Sequence, residues 1–192
     1  MKHLIYIVLF FPLFVIGQSS GTSDSQKEEL SVAKEVSLKK GAMNSISANF
    51  NSKVILAYAN QSEQLIADFY AYLTLYNQSE TADLKKELDK SIQQMFLSDT
   101  VLVEDFINGN NKKITLSQLL QYCKENKFVI TVNTIQNKAV NANSFDMKYQ
   151  LIVTNKSETK TYNLTQKVYL FPKLKTFGNT QKTVWELKLG EL

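Results

Sequence analysis

Residues 128–133 read Phe128-Val129-Ile130-Thr131-Val132-Asn133, and residues 147–154 read Met147-Lys148-Tyr149-Gln150-Leu151-Ile152-Val153-Thr154. Phe128, Ile130 and Val132 alternate with Val129, Thr131 and Asn133; Met147, Tyr149, Leu151 and Val153 alternate with their neighbours in the same way. A period of two sends successive side chains to opposite faces of an extended chain, so each stretch is a strand with a buried face. Tyr162, Leu164, Val168 and Leu170 belong to a long third strand, and Trp185, Leu187 and Leu189 to a final one. Residues 141–144, 155–158 and Gly178-Asn179 supply the turns between them. Strands that follow one another through short loops form an antiparallel meander.

Upstream of Lys127 the period is 3.6. Asn60-x-x-Glu63 reads as a helix cap, and Leu65, Phe69, Tyr72 and Tyr76 recur behind it at helical spacing, flanked by Ile66, Tyr70 and Leu73. A second helix is predicted over 81–97, with Leu84, Leu88, Ile92, Met95 and Phe96 on one side. The β-branched stretch 100–107 reads as a strand closed by the Asn108-Gly109 turn. Thr115-x-x-Gln118 caps a third helix carrying Leu116, Leu119, Leu120 and Cys123 on one face. Helices first and strands after define an α+β fold: three N-terminal helices packed on a curved, mostly antiparallel sheet.

At the N-terminus, Lys2 and His3 precede an apolar run from Leu4 to Ile16, broken only by Pro12. A bilayer core needs about 20 helical residues, so this run is too short to span, and it has the form of a secretory signal peptide. Val15 and Gly17 favour cleavage after Gly17, with cleavage after Gln18 as the alternative, and no Cys stands there to carry a lipid anchor. The expected organisation is therefore a signal peptide at 1–17, a flexible or partly helical segment at 18–58, and an α+β domain at 59–192. Within the middle segment, Ser25-x-x-Glu28 and Lys39-Lys40-Gly41 bound either a short exposed helix or a tether, while 42–59 reads two ways, with Val54-Ile-Leu-Ala-Tyr58 as an alternative opening of the domain. The expected location is periplasmic or secreted, with no transmembrane segment once the leader is removed.

Composition excludes much chemistry. The single His is His3, inside the leader; all 22 basic residues are Lys; and the single thiol is Cys123. Ser–His–Asp and Cys–His nucleophile systems, His/Cys zinc sites and arginine clamps on phosphate all lack their parts. Cys123 shares a helix face with three Leu, the position of a buried inert thiol. With 6 Gly in the chain there is little from which to build a phosphate-cradling loop, so no cofactor and no metal are expected.

The order of elements resembles the nuclear transport factor 2-like superfamily. The resemblance covers roughly Asn60 to Leu192, including Leu65-Ile-Ala-Asp-Phe-Tyr70 in the first helix and Val184-Trp-Glu-Leu-Lys188 in the last strand. It implies a curved sheet wrapped around a long helix into a cone. Members include ligand binders, proteins without known activity, and isomerases or dehydratases that use an Asp or His base with Tyr or a second acid inside the cone. With no His here, that last class leaves Asp99 and Asp105, which flank the inserted strand, as candidate bases; their alternative role is to cap strand ends in water. Phe69, Tyr72, Tyr76, Tyr149 and Trp185 are the candidate ligand-binding set, an apolar lining with polar tips; the alternative for each is plain core.

Charge is uneven. Residues 18–111 hold 8 Lys and 13 acids, whereas residues 112–192 hold 13 Lys and 5 acids. A Lys-rich sheet can offer its outer face to an anionic polymer, a lipid head group or an acidic partner, or simply spread Lys for solubility. Nucleic acid is not expected, because Arg and every binding motif are missing and the chain leaves the cytoplasm. The leading expectation is a secreted, non-enzymatic domain that binds a small apolar ligand or a protein partner, with a homodimer as one form of the latter. The alternatives are a small lyase or isomerase using an Asp base and a Tyr, and an envelope assembly factor.

Overall fold

A computed structural model describes residues 45–110, 112–155 and 158–192. The leader and the expected helix at 25–41 lie outside the described residues. The chain runs α1 (Ile46–Asn49), α2 (Ser52–Gln78), α3 (Ala82–Met95), β1 (Leu102–Glu104), β2 (Lys113–Thr115), α4 (Leu116–Glu125), β3 (Phe128–Val140), β4 (Ser144–Asn155), β5 (Glu158–Phe177) and β6 (Thr180–Leu189). β1 and β2 form a small antiparallel pair; β3-β4-β5-β6 form a four-stranded antiparallel sheet in sequence order. The fold class is α+β.

The alternation seen in the sequence sets the faces of the sheet. Phe145, Met147, Tyr149, Leu151 and Val153 of β4 point inward, opposite Val168, Gln166, Leu164, Tyr162 and Lys160 of β5. α2 covers this face with Ile66, Phe69, Tyr70, Leu73 and Tyr76, all buried. Leu88, Ile92 and Met95 of α3 and Leu116, Leu119, Leu120 and Cys123 of α4 close the core. Thr115 and Gln118 make the reciprocal capping box expected for α4. β3 shifts register on either side of Gln136, and Thr134 between Asn133 and Gln136 has φ 55. An inserted residue of this kind bends its strand and increases the twist.

Three expectations need correction. α2 does not start at Asn60; it starts at Ser52, capped by Asn51, whose side chain accepts from the Val54 amide. Asn60-x-x-Glu63 has cap chemistry but lies mid-helix, because Ile55, Tyr58, Ala59 and Ser62 extend the buried stripe through it. Ser62 adapts to that position by donating its hydroxyl to the Tyr58 carbonyl at 2.8 Å. A domain edge at 58/59 therefore falls inside a continuous helix, and Ile46 of α1 is fully buried in the same core. The strand expected over 100–107 pairs only at Leu102–Glu104, because Asp105 turns the chain: its own amide donates to Lys112 O and its carbonyl accepts from Gly109 N. Leu84, expected on the buried side of α3, is 41% exposed.

β5 is twenty residues long, and its two neighbours use different halves of it. β4 pairs with Glu158–Tyr169 and β6 with Val168–Phe177. The C-terminal residues then lie beside β5 past the end of β6: Gly190 N donates to Lys167 O, and Leu192 N to Leu102 O. A Cβ at Gly190 would stand 2.5 Å from the ring of Tyr169, so any larger residue at this crossing must displace that ring.

Candidate functional site

The five aromatics expected to line one pocket are spread over three environments. Phe69 and Tyr149 are buried near the centre of the core, Phe69 edge-on to Phe96 with centroids 5.0 Å apart. Tyr149 and Tyr70 join hydroxyls at 2.9 Å; the Tyr149 hydroxyl also donates to Gln166 Oε1 at 3.1 Å, and Gln166 Nε2 donates to Gly190 O at 3.2 Å. This buried chain links α2, β4, β5 and the C-terminal tail. Burial pushes both phenols well above their ordinary pKa, so they are neutral hydrogen-bonding groups at any physiological pH. Tyr76 is buried nearer the C-terminal end of α2, its hydroxyl without a hydrogen-bond partner among the described residues. Tyr72 flanks the buried stripe of α2 and is 38% exposed.

The two acids considered as bases do not face a cavity. Asp99 is exposed in the turn after α3. Asp105 is 1% exposed, but its carboxylate is consumed by the turn it makes: Asn108 N and Nδ2 both donate to it, at 3.0–3.2 Å. Cys123 is buried, and that burial pushes its thiol up to about 12. Among the described residues no three His, Cys, Asp or Glu side chains converge as metal ligands.

Trp185 is the member of the set that lines an apolar groove. It is half-buried on the inner face of β6, opposite Pro172 in β5. Phe50, in the link between α1 and α2, packs edge-on against it at 4.8 Å and also against Tyr58 at 5.2 Å. Lys53, Val54, Ala57, Tyr58 and Gln61 recur along one side of α2 and face Trp185 across a groove of about 430 Å³. Its floor is apolar, from Val54, Ala57, Tyr58 and Trp185; Lys53 and Gln61 supply a cation and an amide at the rim. Sequence reasoning found Trp185 but missed Lys53, Val54, Ala57, Tyr58 and Gln61, because residues 42–59 show no clean period once the chain is assumed to begin its domain at Asn60. The Asn51-x-x-Val54 spacing and the Ile55–Tyr58–Ser62 stripe were the available signals.

A larger hollow of about 550 Å³ lies on the other side of the sheet, where Asp146, Lys167 and Tyr169 meet Leu97, Thr100, Val101, Lys113 and the C-terminal Glu191 and Leu192. One carboxylate oxygen of Asp146 is buried without a hydrogen-bond partner among the described residues. None of Lys113, Asp146, Lys167 and Glu191 is ion-paired; the ion pairs among the described residues are Lys160–Glu158, Lys173–Glu186 and Lys175–Glu186.

Among the described residues, no helix is long and apolar enough to cross a membrane. Neither a family model, nor a curated protein, nor a solved structure matches this chain.

Proposed function

We propose that this protein is an exported, non-enzymatic binding domain whose site is the groove between α2 and Trp185. The observation that carries the reading is the contrast between the two places a ligand would sit. The interior holds the hydrogen-bonded Tyr70–Tyr149–Gln166 chain, whereas the groove is open, apolar at its floor and polar at its rim. Such a lining suits one aromatic or branched apolar group with a hydrogen-bond acceptor or anion reaching Lys53. A partner's side chain presented from an extended segment has that form, as does a small apolar acid. The helix-then-meander order supports likeness to nuclear transport factor 2-like domains, with the cone filled by its own side chains. Export rests on the Leu4–Ile16 leader, read from sequence alone.

Trp185 is the single tryptophan of the chain, so its emission reports on this groove and nothing else. Native mass spectrometry of protein isolated from its own cells identifies what is retained, and titration of that species should shift Trp185 fluorescence. A retained species that leaves the emission unchanged, and binds equally well to Ala57→Glu protein, would place the site elsewhere. A second reading is favoured by one observation: Asp146 lines the 550 Å³ hollow beside Tyr169, and one of its carboxylate oxygens is buried without a hydrogen-bond partner among the described residues. There the lyase or isomerase alternative would have Asp146 as base in place of Asp99 or Asp105. A retained polar metabolite lost on Asp146→Asn, with Trp185 emission unmoved, would select it.

A further inference from the structure

Lys173 through Thr183 are exposed without a break. They form the end of a two-stranded ribbon, because β5 pairs with β4 only as far as Tyr169 and beyond that its one strand partner is β6. Lys173–Phe177 add roughly 17 Å of strand beyond the body of the sheet. The ribbon closes at Gly178-Asn179, with Gly178 at φ 58 in the first central position, as a type II′ turn requires. Thr180 Oγ1 donates to Phe177 O at 3.0 Å and fastens the tip.

Both faces of this tip carry a large apolar side chain. Leu174, 67% exposed, shares its face with Trp185 and Thr183; Phe177, 52% exposed, is on the opposite face with Lys173, Lys175 and Lys182. The charge is all of one sign: between Glu158 and Glu186 the chain contains five Lys and no acid. Glu186 is shared by Lys173 and Lys175 at 3.1 and 2.8 Å. Lys182 stands directly opposite Lys175 and has no ion pair among the described residues. Like charges placed opposite each other across a ladder are unfavourable unless something anionic lies over them.

We propose that the ribbon tip is a docking finger for a bilayer surface rich in anionic phospholipid. Leu174 and Phe177 enter the boundary between head groups and acyl chains, while Lys173, Lys175 and Lys182 reach back to the phosphates. The arrangement separates this occupant from two others. A protein groove covers one face of a ribbon, whereas a bilayer surrounds the tip and covers both Leu174 and Phe177. A second copy would bring its own lysines against these, adding repulsion instead of relieving it. The proposal is independent of the Trp185 groove.

The test is co-sedimentation of the intact protein, as isolated from its own cells, with vesicles of phosphatidylglycerol and phosphatidylcholine, against pure phosphatidylcholine vesicles. Binding is expected on the anionic vesicles, weakening as salt rises. A lysine near an anionic surface is worth roughly five-fold in partitioning, so Lys175→Gln with Lys182→Gln should weaken binding about 25-fold. Leu174→Ser with Phe177→Ser should weaken it at least ten-fold. All four positions are exposed, and each double variant should keep the parent's circular dichroism and melt within a few degrees of it. Failure to bind anionic vesicles overturns the proposal, as does binding that the Leu174/Phe177 variant retains. Self-association in the absence of lipid that this variant abolishes would assign the tip to a second copy and also overturn it.

Discussion

The side chain of Asn77 does more to position the elements than its place near a helix end suggests. It is 3% exposed; its Nδ2 donates to Cys123 O and Asn126 O, and its Oδ1 accepts from Phe128 N. One amide thus ties the end of α2 to the exit of α4 and the start of β3. Asn77→Ala leaves these buried backbone groups unpaired, and we expect a loss of about 2–4 kcal/mol in chemical denaturation. A loss below about 1 kcal/mol would mean that water replaces the amide. The Tyr149 hydroxyl makes two bonds in the core, and Tyr149→Phe should cost about 1–3 kcal/mol without shifting the register of β4. Cys123 is legible from sequence as an inert thiol, and its raised pKa of about 12 sharpens this: roughly one thiol in ten thousand is ionised at pH 8. Disulfide-exchange reagents should label native protein only at the rate of unfolding, which makes Cys123 a reporter of opening; fast labelling under native conditions would contradict its burial.

At the scale of elements, the ribbon of β5 and β6 concentrates the exposed ion pairs. The Lys175 bond to Glu186, with Lys173 beside it, holds the Glu186 carboxyl below its ordinary pKa. A depressed carboxyl contributes stability above its unfolded pKa and loses it as the pH falls through the folded value. This contribution should therefore be complete at pH 6 and disappear below the ordinary Glu range near ~4.3. Exposed pairs are worth about 0.2–1 kcal/mol, so Glu186→Gln should flatten the acid limb of the stability profile by that amount and leave pH 7–9 unchanged apart from a constant offset. Trp185 also belongs here. As a fully buried residue its replacement by Ala would cost ~3–5 kcal/mol. Half-buried and packed edge-on to Phe50, it should cost about 1–2 kcal/mol, read from denaturation midpoints at constant slope. The strand register anticipated for Trp185, Leu187 and Leu189 is the observed one; the exposure of Trp185 follows from its place where the ribbon leaves the body.

The whole molecule decides where the domain begins. A chain starting at residue 59 matches the boundary expected from sequence, but it removes Ile46, Phe50, Ile55 and Tyr58, all in or against the core. Buried apolar residues contribute about 2–5 kcal/mol each, against a total near 5–15 kcal/mol for an ordinary domain. The truncated chain should therefore lack a cooperative thermal transition. A transition within a few degrees of the full protein would restore residue 59 as the true edge.

Periodicity, with the turn residues between the strands, determined the helices-then-meander order, the antiparallel pairing and the inward residues of β4 and β5. These are local consequences of side-chain spacing, and the solvent-facing alternatives would expose whole apolar faces. The α4 capping box and the Gly178 turn were legible for the same reason, since their chemistry spans four residues or fewer. The start of α2, the consumption of Asp105 in a turn, and the filling of the interior by Tyr70, Tyr149 and Gln166 were settled only in three dimensions. Each depends on groups far apart in sequence: Tyr70 and Tyr149 are 79 residues apart, yet their hydroxyls share one proton bridge. Whether an aromatic lines a cavity or fills one is a property of the space between elements, and no local pattern encodes that space.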